Sequence, residues 1–230
     1  MLKQRAGQAW VNAMEENRRN IDRLVGGWGG RFLDLGCNDG VETVRFAKAA
    51  KADSIVGVEI VDERAELARG RGVEVVAADL NAALPFPDAS FDVIVSNQVI
   101  EHLNDTDLFV SELRRLLRPG GVAVTSTENL ASWHNVLALT LGWQPFSLTN
   151  TSGVVLGLGN PVAVLRGQAA DEWGTWQHRR VFAYRGLREL MEAHGLTVSE
   201  IAGAGYYPLP ARFGRREPRH AAFLAVACTV

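Results

Sequence analysis

The feature that most constrains this chain is an alternation of short apolar runs with amphipathic stretches. Arg31–Gly36 (RFLDLG), Ser54–Ile60 (SIVGVEI), Val73–Asp79 (VEVVAAD), Phe91–Asn97 (FDVIVSN) and Val122–Thr127 (VAVTST) each read as a buried strand. Between them, Val41–Lys51, Asp62–Arg71 and Thr106–Gly121 carry apolar residues at helical spacing, and Phe109, Leu113, Leu116 and Leu117 are expected to share one face. Pro119-Gly120 is expected to terminate the third of these helices. Strands with no polar face, joined by helices, require a parallel sheet covered on both sides. Right-handed crossovers then place functional loops beyond the carboxyl ends of the strands. A leading helix over Gln8–Val25, a helix over Tyr184–Gly195 and two last strands, Leu196–Gly203 and His220–Val230, complete the pattern. The expected fold is α/β, a doubly wound, mostly parallel seven-stranded sheet with helices on both faces.

Composition narrows the classes. At 230 residues, 47% of them hydrophobic, the chain suits one domain with a single core. Its 24 basic and 26 acidic side chains leave a net charge of -2, which supplies no bulk electrostatic reason to bind nucleic acid or an anionic membrane. The densest basic cluster, Arg212, Arg215, Arg216 and Arg219, reads as a solvated loop, the alternative being a contact for an anionic acceptor or partner. Cys37 and Cys228 lack the near neighbours of a zinc or redox pair, so a reduced compartment and no metal are expected. The polar first 20 residues lack the apolar core of a signal peptide, and no apolar run is long enough to span a membrane. A cytoplasmic, soluble location is the expectation.

The strongest local signal is Leu33-Asp34-Leu35-Gly36-Cys37-Asn38-Asp39-Gly40, lying between a strand and a helix. Gly36 and Gly40 bracket a turn that must bend sharply, and they suggest close approach of a ligand to the backbone. A dinucleotide fingerprint would need glycines at 38 and 41, where this chain has Asn38 and Val41.

This segment resembles the first motif of class I S-adenosylmethionine-dependent methyltransferases, an acidic residue followed by Gly-x-Gly-x-Gly. Asp34, Gly36 and Gly40 match, and Asn38, a residue that tolerates positive φ, stands at the middle glycine. Glu59, 23 residues after Gly36, supplies a carboxylate that can accept from both hydroxyls of a ribose, with Ile60 beside it. By resemblance, Asp79 lies near the adenine amino group and Leu80 against the ring. Residues 84–103 resemble the fourth-strand signature, whose Asn97 and Gln98 face the methionine part. Leu117-Arg118-Pro119-Gly120-Gly121 resembles the turn into the fifth strand. The resemblance covers residues 30–127 well and implies a Rossmann-like fold with S-adenosylmethionine as cofactor and S-adenosylhomocysteine as product.

Methyl transfer from a sulfonium is an in-line displacement, so the protein mainly aligns its reactants, and a general base serves only a protonated acceptor. His102 and His178 are the expected catalytic residues, with His134 as a further candidate. Glu101 either orients His102 or is a solvated acid at a helix start. Trp10 on the first helix is expected to pack in the core rather than close over the cofactor.

The single domain divides into an N-terminal helix (1–29), a cofactor-binding core (30–127), an insertion or lid after the fifth strand (128–180) and a C-terminal helix with strands (181–230). Four of the six tryptophans, Trp133, Trp143, Trp173 and Trp176, fall in the insertion, which reads as a partly helical lid rather than a linker. The expected activity is methyl transfer to oxygen or nitrogen of a small molecule, of a natural-product or cell-surface sugar pathway. No nucleic acid or membrane partner is expected, and homodimerisation stays open. The competing readings are a nicotinamide-dependent oxidoreductase and a non-catalytic nucleoside-binding module.

Overall fold

The computed structural model describes residues 2–151, 177–207 and 212–230. The chain begins with α1 (Leu2–Leu24), then β1 (Arg31–Leu35), α2 (Val41–Ala50), β2 (Ser54–Val58), α3 (Asp62–Arg69), β3 (Glu74–Val76) and β4 (Phe91–Asn97). A 3-10 turn (Ile100–His102), α4 (Thr106–Leu116), β5 (Leu117–Glu128) and α5 (Trp133–Thr140) follow. The last elements are α6 (Tyr184–Ala193), β6 (Thr197–Ala204), α7 (Arg212–Arg216) and β7 (Phe223–Thr229). They build one seven-stranded sheet in the order β3-β2-β1-β4-β5-β7-β6. The first five strands are mutually parallel, and β7 runs antiparallel between β5 and β6. The strand order reverses between β1 and β4, where an open α/β sheet forms its ligand crevice.

The period of two along each strand decides which helix each residue meets. Phe32, Val93, Val95, Val122 and Val124 pack with Ile21 and Val25 at the end of α1 and with Phe46 and Ala47 of α2. Their neighbours Leu33, Leu35, Ile94 and Ala123 face the other way, toward Phe109 and Leu113 of α4 and Leu187 and Met191 of α6. Both faces are therefore buried, as continuous apolar strands require.

Two expectations are corrected here. The helix expected to run to Pro119-Gly120 stops at Leu116, because Leu117 already pairs with Phe91 across the sheet. The register then shifts between Phe91 and Val93, where Pro119 has no N–H to contribute and a β-carbon on Gly121 would lie 2.6 Å from the Asp92 carbonyl oxygen. Trp10 is not in the core: it is 50% exposed, since burial along its helix face begins only at Ala13.

Within residues 128–180, α5 and a 3-10 turn (Phe146–Leu148) make the segment partly helical, and Trp173 and Trp176 lie outside the described residues. Its base is closed where the Leu130 N–H donates to the Phe182 carbonyl at 2.9 Å. In the basic cluster, Arg215 lies 3.7 Å from Glu16 and Arg219 lies 2.6 Å from Glu217, consistent with a solvated, paired surface. Among the described residues, no helix is long and apolar enough to cross a membrane.

Candidate active site

The turn from β1 to α2 uses positive φ at Gly36 (85°), Asn38 (48°) and Gly40 (82°), so Asn38 does occupy the left-handed region. The glycines are required by the packing of the protein itself. A β-carbon on Gly36 would sit 2.6 Å from Val99 Cγ2, and one on Gly40 would sit 2.9 Å from Ala68 Cα. Cys37 is likewise seated against the sheet, 2.5 Å from where a β-carbon on Gly57 would be.

Glu59 follows immediately after β2 and is only 6% exposed. Its Oε2 accepts from the Asn38 N–H and its Oε1 from the Val61 N–H, both at 2.9 Å. Buried carboxylates persist when they are hydrogen-bonded in this way. Glu59 thus joins the tip of β2 to the turn after β1, with the apolar Ile60 63% exposed beside it. Leu80 is half-buried against the core. Asp79 is exposed, and its Oδ1 accepts from the Asn81 N–H at 2.9 Å, shaping the turn after β3. A buried acid, an exposed apolar side chain and a second acid, all at strand carboxyl ends, fit the hydroxyls, ring and amino group of an adenosine.

Asp34 is buried in β1 and accepts from the Thr43 hydroxyl at 2.6 Å, which fixes α2 behind the turn. Burial pushes its pKa up to about 7; the Thr43 bond opposes this, and the Glu42 and Glu59 carboxylates add to it. An acid raised in the folded state costs stability progressively as pH climbs from its unfolded pKa to its folded one. Asp34→Asn should therefore gain on the wild type between about pH 4 and pH 7, by up to about 1.4 kcal/mol per pH unit, and stay level above. Urea unfolding across that range checks it; a pH-independent difference would contradict it.

At the tip of β4, Asn97 Nδ2 donates to Glu42 Oε2 at 2.6 Å, and Asn97 Oδ1 accepts from Asn17 Nδ2 at 3.2 Å. Asn17 also donates to Ser126 Oγ at 2.7 Å, and Arg18 pairs with Glu42. Gln98, at φ 57°, donates to the same Ser126 Oγ at 3.1 Å. Both expected methionine-side residues are thus engaged with α1, α2 and β5. The sequence reading missed Asn17, Glu42 and Ser126; its one available signal was Asn17, a polar residue spaced in register with Ala13 and Ile21.

The other half of the site lies at the carboxyl ends of β4 and β5. His102 and His178 come together with ring centroids 5.0 Å apart. His102 Nδ1 lies 3.2 Å from the Gln177 carbonyl oxygen, and His178 Nδ1 lies 2.7 Å from that of Ser147. A carbonyl only accepts, so in each neutral ring Nδ1 carries the proton and the lone pair belongs to Nε2. His134 is different. It packs edge-on to Phe146 and Tyr207, each at 5.2 Å, and burial lowers its pKa to about 4.

Glu101 corrects the reading of a solvated helix-start acid. It is 1% exposed, its Oε2 accepts from the Thr127 hydroxyl at 3.0 Å, and its carbonyl accepts from the Arg179 and Arg180 N–H groups at 2.7 and 3.1 Å. Burial drives its pKa up to about 8, with the Glu128 carboxylate adding to the effect and hydrogen bonds from its own N–H and Thr127 opposing it.

Residues 33–125 match a family model described as a methyltransferase domain. A probable S-adenosylmethionine-dependent methyltransferase of Mycolicibacterium smegmatis is 43% identical over 98 residues, 42% of this chain and 37% of that protein. The chain therefore spans little more than a third of that relative's length. A ubiquinone biosynthesis O-methyltransferase of Mesorhizobium japonicum is 26% identical over 205 residues, covering 86% of this chain and 72% of the relative. Among solved structures, an S-adenosylmethionine-dependent methyltransferase from Mesorhizobium loti matches at a TM-score of 0.62 and 19% identity, over 92% of this chain and 96% of that one. The sheet order and the solved structures it matches define a Rossmann-like α/β protein. Over residues 33–125 the chain is similar to S-adenosylmethionine-dependent methyltransferases, and S-adenosylmethionine is the cofactor that this similarity implies.

Proposed function

We propose that this chain transfers a methyl group from S-adenosylmethionine to an oxygen or nitrogen of a small-molecule acceptor, an intermediate of a natural-product or cell-surface sugar pathway. The observation that carries the reading is the pairing of His102 and His178 at the β4 and β5 tips, beside the nucleoside half built on Glu59. The similarity to a ubiquinone biosynthesis O-methyltransferase of Mesorhizobium japonicum supports oxygen as the acceptor atom.

When bound, S-adenosylmethionine supplies a methyl group on a sulfonium that carries its own leaving group. Glu59 accepts from the ribose hydroxyls, Ile60 and Leu80 flank the adenine, and Asp79 takes its amino group. Asp34, Gly36, Asn38 and Gly40 hold the turn in shape, while Asn97 and Gln98 shape the methionine side. His102 and His178 orient the acceptor and draw off its proton at Nε2. The segment over residues 128–180 closes the acceptor side. Alignment of this kind lowers a barrier by roughly 7–11 kcal/mol in favourable cases, and a positioned base adds about 10²–10⁴-fold.

S-adenosylhomocysteine at about 100 times its Kd should raise the melting temperature by roughly 5–10 °C, and NAD or NADP should not. No shift at saturation would overturn the cofactor site. Mass-spectrometric detection of singly methylated products in cell extracts then separates an enzyme from a binding module.

A further inference from the structure

Glu101, His102 and His178 each bring a metal-binding atom within 4.8 Å of the others. The first two are adjacent on the 3-10 turn that closes β4. The third arrives from the far end of the 128–180 segment, pinned there by the bonds from the Arg179 and Arg180 N–H groups to the Glu101 carbonyl.

Two further observations point to a ligand. Each imidazole turns its Nδ1 toward a backbone carbonyl, at 3.2 Å for His102 and 2.7 Å for His178. Metal-ligating histidines are held in this way, the outer nitrogen donating to a carbonyl or carboxylate to fix ring and tautomer. Glu101 Oε1 is buried and has no hydrogen-bond partner among the described residues. A buried carboxylate oxygen left unsatisfied is costly, and the nearby Glu128, 3.9 Å from His178 Nδ1, adds a further carboxylate. A cation would satisfy both.

We propose that Glu101, His102 and His178 bind a divalent cation of the zinc class, which takes an oxygen of the acceptor as a further ligand. Two imidazoles and one carboxylate suit zinc and its neighbours better than magnesium or calcium, and three protein ligands leave a coordination position open. The inference rests on this being the acceptor side of a methyltransferase. It changes the histidines' part there, since ligands do not accept protons: the cation favours the deprotonated acceptor oxygen, and the proton leaves to solvent.

Untagged protein freed of metal with a chelator should bind zinc chloride in calorimetry with one-to-one stoichiometry and micromolar or tighter affinity. His102→Ala and His178→Ala should each weaken binding by about 100-fold, Glu101→Gln by about 10-fold or more, and His194→Ala should leave it unchanged. Circular dichroism verifies folding, with His102→Asn and His178→Asn replacing any alanine variant that fails to fold. Absence of saturable zinc binding, unchanged affinity in both histidine variants, or preference for magnesium would each overturn the inference. The thermal shift with S-adenosylhomocysteine, run on the same metal-free protein, separates the two readings. A shift without zinc binding removes the cation and keeps the methyltransferase, whereas zinc binding without a shift does the reverse.

Discussion

Replacing Glu59 with alanine should weaken S-adenosylhomocysteine binding by roughly 100-fold or more, the equivalent of two hydrogen bonds to a charged group. The side chain does two jobs at once. In the proposed function it accepts from the ribose hydroxyls, and its two oxygens hold the N–H groups of Asn38 and Val61. Alanine leaves both donors without their acceptor, so the turn after β1 should loosen and the melting temperature fall as well. Glu59→Gln keeps one acceptor oxygen and should lose less of each. Calorimetry and thermal melts report the two effects separately. Affinity unchanged in the alanine variant would mean that Glu59 serves only the loop.

His178→Ala should lower turnover by about 10²-fold or more while changing S-adenosylhomocysteine affinity by less than about threefold. His102→Ala should behave in the same way. Both rings sit at the β4 and β5 side, away from the Glu59 carboxylate, so their loss is felt in the reaction rather than in nucleoside binding. Steady-state rates together with calorimetry check this. Cofactor affinity falling in step with the rate would move these histidines into the nucleoside pocket, and rates within about twofold of wild type would remove them from the reaction.

Local chemistry made much of the architecture readable. The boundaries of β4 could be taken from Phe91–Asn97 directly, because the apolar run Val93–Val95 and the following Ser96 and Asn97 mark where it is buried and where it ends. The positive φ of Asn38 followed from residue type in the same way. Readings failed where a distant segment decided the outcome. Leu116 ends α4 because Leu117 finds a partner in Phe91, which no helical spacing in that stretch discloses. That Gly36 also has to leave room for Val99 is disclosed by no residue near it in sequence. Glu101 looks like any acid at a helix start; its burial comes from Thr127 on β5 and from the backbone of residues 179 and 180, remote in sequence. Trp10 has core composition and core spacing, yet the helix packs against the sheet only from Ala13 onward. His102 and His178 were legible as candidates, while their proximity was not.

The bond between Leu130 and Phe182 has an evolutionary consequence. Residues 131–181 leave and rejoin the sheet at one point, so the strands beneath do not register how long that excursion is. Doubling the length of a flexible loop costs only about 0.6 kcal/mol in closure entropy. Insertions or deletions between those two residues that spare Trp133, Asn135 and residues 177–180 can therefore accumulate without disturbing β5, β6 or β7. A segment grafted at the Leu130–Phe182 junction accordingly has to restore His178 and the N–H groups that Arg179 and Arg180 direct at the Glu101 carbonyl.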